Sequence, residues 1–134
     1  MLFRSLGLAL TGAQIAHAQR LHAQIVANMR LFMQRYDLVI GPTTQVTAFD
    51  VTRPYIDEIN GQRLDTYIDW MKSCWYITLT TNPALSIPCG LTPAGLPVGM
   101  QIVGRLHDDI NVLRMAMSIE SMIEQSQFIP VMAK

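Results

Sequence analysis

The chain has 134 residues, with ten Lys+Arg against ten Asp+Glu and a formal net charge of zero. That balance gives neither the basic patch of a nucleic-acid binder nor the acidic excess of a disordered tail. Charged residues make up only 15% of the sequence and hydrophobic ones 50%, where soluble domains average about 25% charged.

The longest apolar runs are a few residues, far short of the ~20 needed to span a bilayer, so no membrane span is expected. A small domain needs proportionately more polar surface than a large one. The low charge therefore points to faces covered by something else, either the rest of a larger fold or a second copy. At the N-terminus, Arg4, the apolar Leu6–Leu10 and Ala16-His17-Ala18 mimic a secretory leader. Gly7, Thr11 and Gly12 interrupt the apolar run, and the helical pattern continues through the supposed cleavage site. No leader is expected, and residues 1–10 read as an N-terminal extension.

The spacing of Leu21, Ile25, Met29, Phe32 and Tyr36 predicts one apolar face on a helix from about Thr11 to Gln34. At ~1.5 Å per residue it would run about 35 Å, a length suited to crossing a large sheet. Asp37–Gly41 reads as a short buried strand stopped at Pro42. Thr43–Arg53 reads as loop. Asn60-Gly61 signals a type I′ turn between hairpin arms Tyr55–Ile59 and Gln62–Leu64.

Asp65–Thr78 is expected to be helical, with Trp70, Cys74 and Ile77 on one side. Asn82-Pro83 ends it, because the residue before proline is pushed out of the helical region. Strands follow at Ala84–Cys89 and Pro97–Gly104, joined by a Thr92–Gly95 turn. In the second, Val98, Met100 and Ile102 alternate with Gly99, Gln101 and Val103. Gly99 is expected to admit a neighbouring backbone. Asp108 or Asp109 caps a final helix, about Ile110–Gln125. Its apolar stripe is Val112, Ala116, Ile119 and Ile123, widened by Leu113 and Met117. The fold class is thus α/β, a mixed sheet with packed helices. Three substantial strands are few for so many apolar helix faces, so the sheet is expected to be incomplete within this chain.

Side chains with obvious chemistry are scattered. His17 and His22 point in different directions on the first helix. His107 with Asp108 and Asp109 is explained by a helix cap, so no metal site is expected. Cys74 and Cys89, the only cysteines, read as buried reduced thiols of a cytoplasmic protein. No G-x-S-x-G, S-x-x-K or phosphate-loop motif occurs. Ser73 lies directly beside Lys72, so the two do not face each other, and Ser86 has no base near it in sequence. Asp57 and Glu58 point to opposite faces, and Asp65 and Asp69 read as a solvated pair.

Several segments nevertheless resemble one family in the right order. Gln34-Arg35-Tyr36-Asp37-Leu38-Val39-Ile40-Gly41-Pro42-Thr43 resembles a helix end running into a strand and a "T-P-T" turn. Trp70-Met71 and Thr78-Leu79-Thr80 resemble the approach to an "N-L-T-G-x-P-A-x-S-x-P" segment. Pro83–Gly90 and Gly95–Gly104 follow, and then Asp108-Asp109 with a Leu/Met-rich helix. Together, from about Leu10 to Ile123, these segments resemble the C-terminal portion of an amidase-signature hydrolase. The pattern departs at Gly41 and Gln45, where Thr and Pro are common, and at Thr78 and Thr81, which replace Asn and Gly of "N-L-T-G".

The resemblance implies hydrolysis of an amide C–N bond by a Ser–Ser–Lys triad, with no metal or organic cofactor. Such triads lie earlier in the chain. No position here matches them, so no catalytic residue is assigned, and residues 1–134 are expected to be inactive alone. The expected contribution is strands, covering helices and pocket wall. Thr43, Thr44 and Trp70 are the candidates for the wall, since they lie in or near loops that follow a strand. The expected partners are the N-terminal portion of the same enzyme or a second copy, with a small amide as substrate. Transamidation in a tRNA-charging complex lies within the family's range. The alternative is a stand-alone non-catalytic domain for oligomerisation, or for binding a small molecule around Trp70, Trp75 and Tyr76.

Overall fold

The computed structural model of the chain describes residues 7–123; the last residues of the expected closing helix, to Gln125, lie outside them. Helix α1 spans Gly12–Phe32 and opens on a capping box. The Gln14 amide N–H donates to Thr11 Oγ1 at 3.3 Å, and the Thr11 N–H donates to Gln14 Oε1 at 2.8 Å, which satisfies two otherwise orphaned helix-end donors.

The expected apolar face of α1 is not its buried face. Leu21 is 47% exposed, Phe32 46% and Tyr36 51%. Helix α1 lies along the short segment Ile77–Thr80 instead of across a broad sheet. Its contact side runs through the half-buried Val26 and Met29 to Met33, which is buried just past the helix end.

Strand β1 covers Val39–Pro42. Strands β2 (Glu58–Ile59) and β3 (Gln62–Arg63) form a hairpin shorter than its predicted arms. Its turn carries positive φ at both Asn60 (51°) and Gly61 (77°), the backbone that a type I′ turn demands. The predicted helix over Asp65–Thr78 is broken into pieces. A 3-10 turn spans Asp69–Met71, α2 occupies only Lys72–Tyr76, and a second 3-10 turn spans Ile77–Thr80. The β-branched Ile77, Thr78 and Thr80 disfavour a continued helix. Thr81, at φ +60°, then reverses the chain.

Strands β4 (Ala84–Leu91) and β5 (Pro97–Val103) form the main hairpin. The Gly95 N–H donates to the Thr92 carbonyl at 2.8 Å, with Gly95 at φ +78°. A bulge falls between Pro88 and Gly90, and β5 sits between β1 and β4, antiparallel to both.

Helix α3 (Asp109–Met122) covers one face of this sheet. Ile87, Ile102, Val112 and Ala116 form the core, with Leu38, Leu85, Met100, Ile119 and Ile123 packed around it. The predicted stripe is therefore buried or half-buried, but the two residues expected to widen it are not: Leu113 is 58% exposed and Met117 70%. Three strands are too narrow to reach that flank of the helix. Asp108 occupies the N-cap position, yet its carboxylate accepts from the Asn111 side-chain amide at 2.7 Å and not from a helix N–H. Arg105 clamps the loop ahead of α3 to the end of α1. Its Nε donates to the Met33 carbonyl at 3.1 Å and its Nη2 to Asp37 Oδ1 at 2.9 Å.

Candidate functional site

The sheet face away from α3 carries the polar groups. Pairing puts Gly41, Gln101 and Ser86 side by side across the three strands, and Gly99 follows on the same side two residues before Gln101. A Cβ on Gly99 would lie 2.8 Å from Thr43 Oγ1 and 2.9 Å from Ser86 Oγ. The absent side chain thus makes room for two hydroxyls, where a neighbouring backbone was expected. Those hydroxyls are hydrogen-bonded to each other at 2.6 Å.

Thr43 is tied from every polar group it has. Its N–H donates to the Gly99 carbonyl at 3.1 Å. Its own carbonyl accepts from Ser73 Oγ and from Cys74 Sγ, each at 3.0 Å. The Ser73 N–H donates to Gln45 Oε1 at 3.3 Å, which pins the post-β1 loop to the start of α2 a second time. Cys74 and Cys89 are half-buried free thiols, less enclosed than expected.

The three residues expected at a pocket wall have different surroundings. Thr43 is at the centre of this network. Thr44 is exposed, and its hydroxyl donates to the Val46 carbonyl at 2.8 Å, closing its own turn. Trp70 stands edge-on to Phe49, with centroids 5.5 Å apart. Its Nε1 is buried without a hydrogen-bond partner among the described residues. Ser73 and Ser86, which sequence spacing left unattached, join Thr43 through the fold. Only the strand register, with Ser86 opposite Gln101 and beside Gly99, would have revealed the second contact.

This network supplies neutral donors and acceptors. The ionisable groups nearest to it in sequence are engaged in an ion pair. Asp69 accepts from the Thr66 hydroxyl at 2.7 Å and the Thr66 N–H at 2.8 Å, and it pairs with Lys72 at 3.0 Å. The Thr66 hydroxyl and then Lys72 hold the Asp69 carboxyl below the ordinary carboxylate range, and Asp69 in turn raises Lys72. A lysine so raised keeps its proton near neutrality and is poorly suited to act as a general base. Among the described residues no group of three or more His, Cys, Asp and Glu is placed to hold a metal, and no helix is long and apolar enough to cross a membrane.

A family model described as Amidase matches residues 6–113. The chain belongs to the amidase family. Among curated relatives, it is 35% identical over 112 residues to a glutamyl-tRNA(Gln) amidotransferase subunit of Myxococcus xanthus, covering 81% of this chain and 21% of that protein. It is 31% identical over 113 residues to an acylamidase of Rhodococcus erythropolis, covering 84% of this chain and 24% of the relative. Among solved structures, a bacterial aryl acylamidase of the amidase signature family superposes with a TM-score of 0.77 at 28% identity, over 92% of this chain and 26% of that one. The corresponding glutamyl-tRNA(Gln) amidotransferase subunit from Thermotoga maritima gives a TM-score of 0.70 at 26% identity, over 91% and 25%. The chain therefore spans between a fifth and about a quarter of these relatives.

Proposed function

We propose that this chain is the sheet-completing, pocket-lining portion of an amide-hydrolysing enzyme, supplying structure and one wall of the substrate site but no nucleophile or base. The observation that carries this reading is the asymmetry of the sheet. One face is filled by α3. The other holds the Thr43–Ser86 hydroxyl pair over Gly99, with no acid or base hydrogen-bonded to it among the described residues. A hydroxyl without an adjacent base is a weak nucleophile but a good orienting partner for a neutral amide. Thr43, Thr44 and Trp70 are the wall residues in this reading. The partner is the catalytic portion of the same fold, with a second copy covering the same apolar surface when that portion is absent.

The test is hydrolysis of simple aliphatic and aryl amides by the purified 134-residue chain, followed by ammonia or amine release. The expected result is no rate above the uncatalysed background. Turnover abolished by S86A or S73A would overturn the reading and make this chain a catalyst in its own right.

A further inference from the structure

A cleft of about 580 Å³ lies between the C-terminal half of α1 and the loop joining β5 to α3, within the ~300–1,000 Å³ range of small-molecule sites. Val26, Met33 and Leu106 give it hydrocarbon walls, and the ionisable side chains lining it are Arg30, Arg105 and His107, with no carboxylate among them.

Arg105 is pre-positioned. Nε on the Met33 carbonyl and Nη2 on Asp37 fix its guanidinium at the cleft edge and leave Nη1 uncommitted among the described residues. The Nε bond also occupies a carbonyl at the α1 end that would otherwise repel an anion. Arg30, in the last turn of α1, makes no ion pair among the described residues. Arginine forks match carboxylate geometry, and the hydrocarbon walls favour an anion with an apolar body over inorganic phosphate. The geometry points to a binding site for a small organic carboxylate, its head group held by Arg30 and Arg105 and its tail lying along Val26, Met33 and Leu106.

Equilibrium dialysis of the 134-residue chain against radiolabelled benzoate at low ionic strength tests the site. Saturable binding is expected, weakened about fivefold in R30Q, as for loss of one exposed charge contact. Q34E, which puts a carboxylate into the same lining, should weaken it further. R20Q, on α1 but outside the cleft, should bind as the parent does. Benzamide, equal in shape but uncharged, should bind at least about fivefold more weakly, a comparison that needs no variant. Absence of saturable benzoate binding, equal binding of benzamide, unchanged binding in R30Q, or an equal loss in R20Q would each overturn the assignment.

Discussion

Gly104 is the position where adding a single methyl group should do most damage. It has no positive φ, so the requirement is space and not backbone freedom. A Cβ there would sit 1.9 Å from Val112 Cγ2 and 3.4 Å from Val112 Cβ, where carbon atoms rest at ~3.5–4.0 Å. Val112 is only 3% exposed and belongs to the core. A β-branched side chain in a helix is held to one rotamer about 90% of the time, so turning the methyl away is itself unfavourable.

The remaining relief is for α3 to lift off β4 and β5. Overpacking of this kind costs ~1–3 kcal/mol, and the overlap places G104A near the upper end, about 3 kcal/mol. With ~4 °C per kcal/mol for a domain of this size, the melting midpoint should fall by about 12 °C. V112A removes the obstructing methyls at a cost of about 2 kcal/mol, from ~0.8 kcal/mol per buried carbon plus a cavity. The double variant should then fall within about 1 kcal/mol of V112A alone, and not at the sum of the two losses. Thermal and urea unfolding followed by tryptophan fluorescence, at one fixed chain concentration, measure the midpoint and the free-energy differences. A G104A midpoint equal to the parent's, or strict additivity with V112A, would refute the steric argument.

Thr81→Gly should stabilise the chain. Thr81 sits at φ +60°, which costs a β-branched residue ~1–2 kcal/mol, partly offset by glycine's entropy. A net gain of about 0.5–1 kcal/mol is expected in urea unfolding, and a lower midpoint would contradict it. The Thr66–Asp69–Lys72 cluster predicts a pH signature of known sign. Asp69 is lowered when folded, so its contribution is present above the unfolded value of about 3.9 and is lost as pH falls through the folded one. Lys72 is raised, so its contribution is present below about 10.4 and is lost as pH rises through the raised value. D69N should flatten the acid limb of the stability profile and K72M the alkaline limb; profiles identical to the parent's would count against the cluster. Finally, Leu21, Ile25 and Phe32 on α1 and Leu113 and Met117 on α3 are all exposed apolar side chains. Sedimentation should therefore show concentration-dependent self-association, and a monodisperse monomer throughout would be the contrary result.

Local chemistry made much of this fold legible in the sequence. Asn60-Gly61 fixed the small turn, Pro93 to Gly95 the large one, and alternation in Pro97–Val103 the central strand. The family motif lay in the same stretch. What local reasoning missed depended on partners distant in the chain. The Leu21–Tyr36 periodicity correctly marked a helix, but its buried side follows from Ile77–Thr80, the segment the helix packs against. Helical spacing around Trp70 outweighed the β-branched run at Ile77–Thr80, which tertiary context resolved as turns. At the candidate site, Thr43 stood out as a post-strand loop residue. Its ties to Ser73 and Ser86 required the sheet register, which no single segment encodes.

The position of β5 between β1 and β4 also has a consequence for how the chain is made. The β4–β5 hairpin is local and can close within about 1–10 μs. Strand β1 has no partner until Val39 meets Val103 and Pro42 meets Met100. At ~5–20 residues per second of synthesis, the half-buried Leu38 and Val39 wait for seconds before the strand that pairs with β1 exists. Of the three strands, β1 therefore waits longest during synthesis for the strand it pairs with.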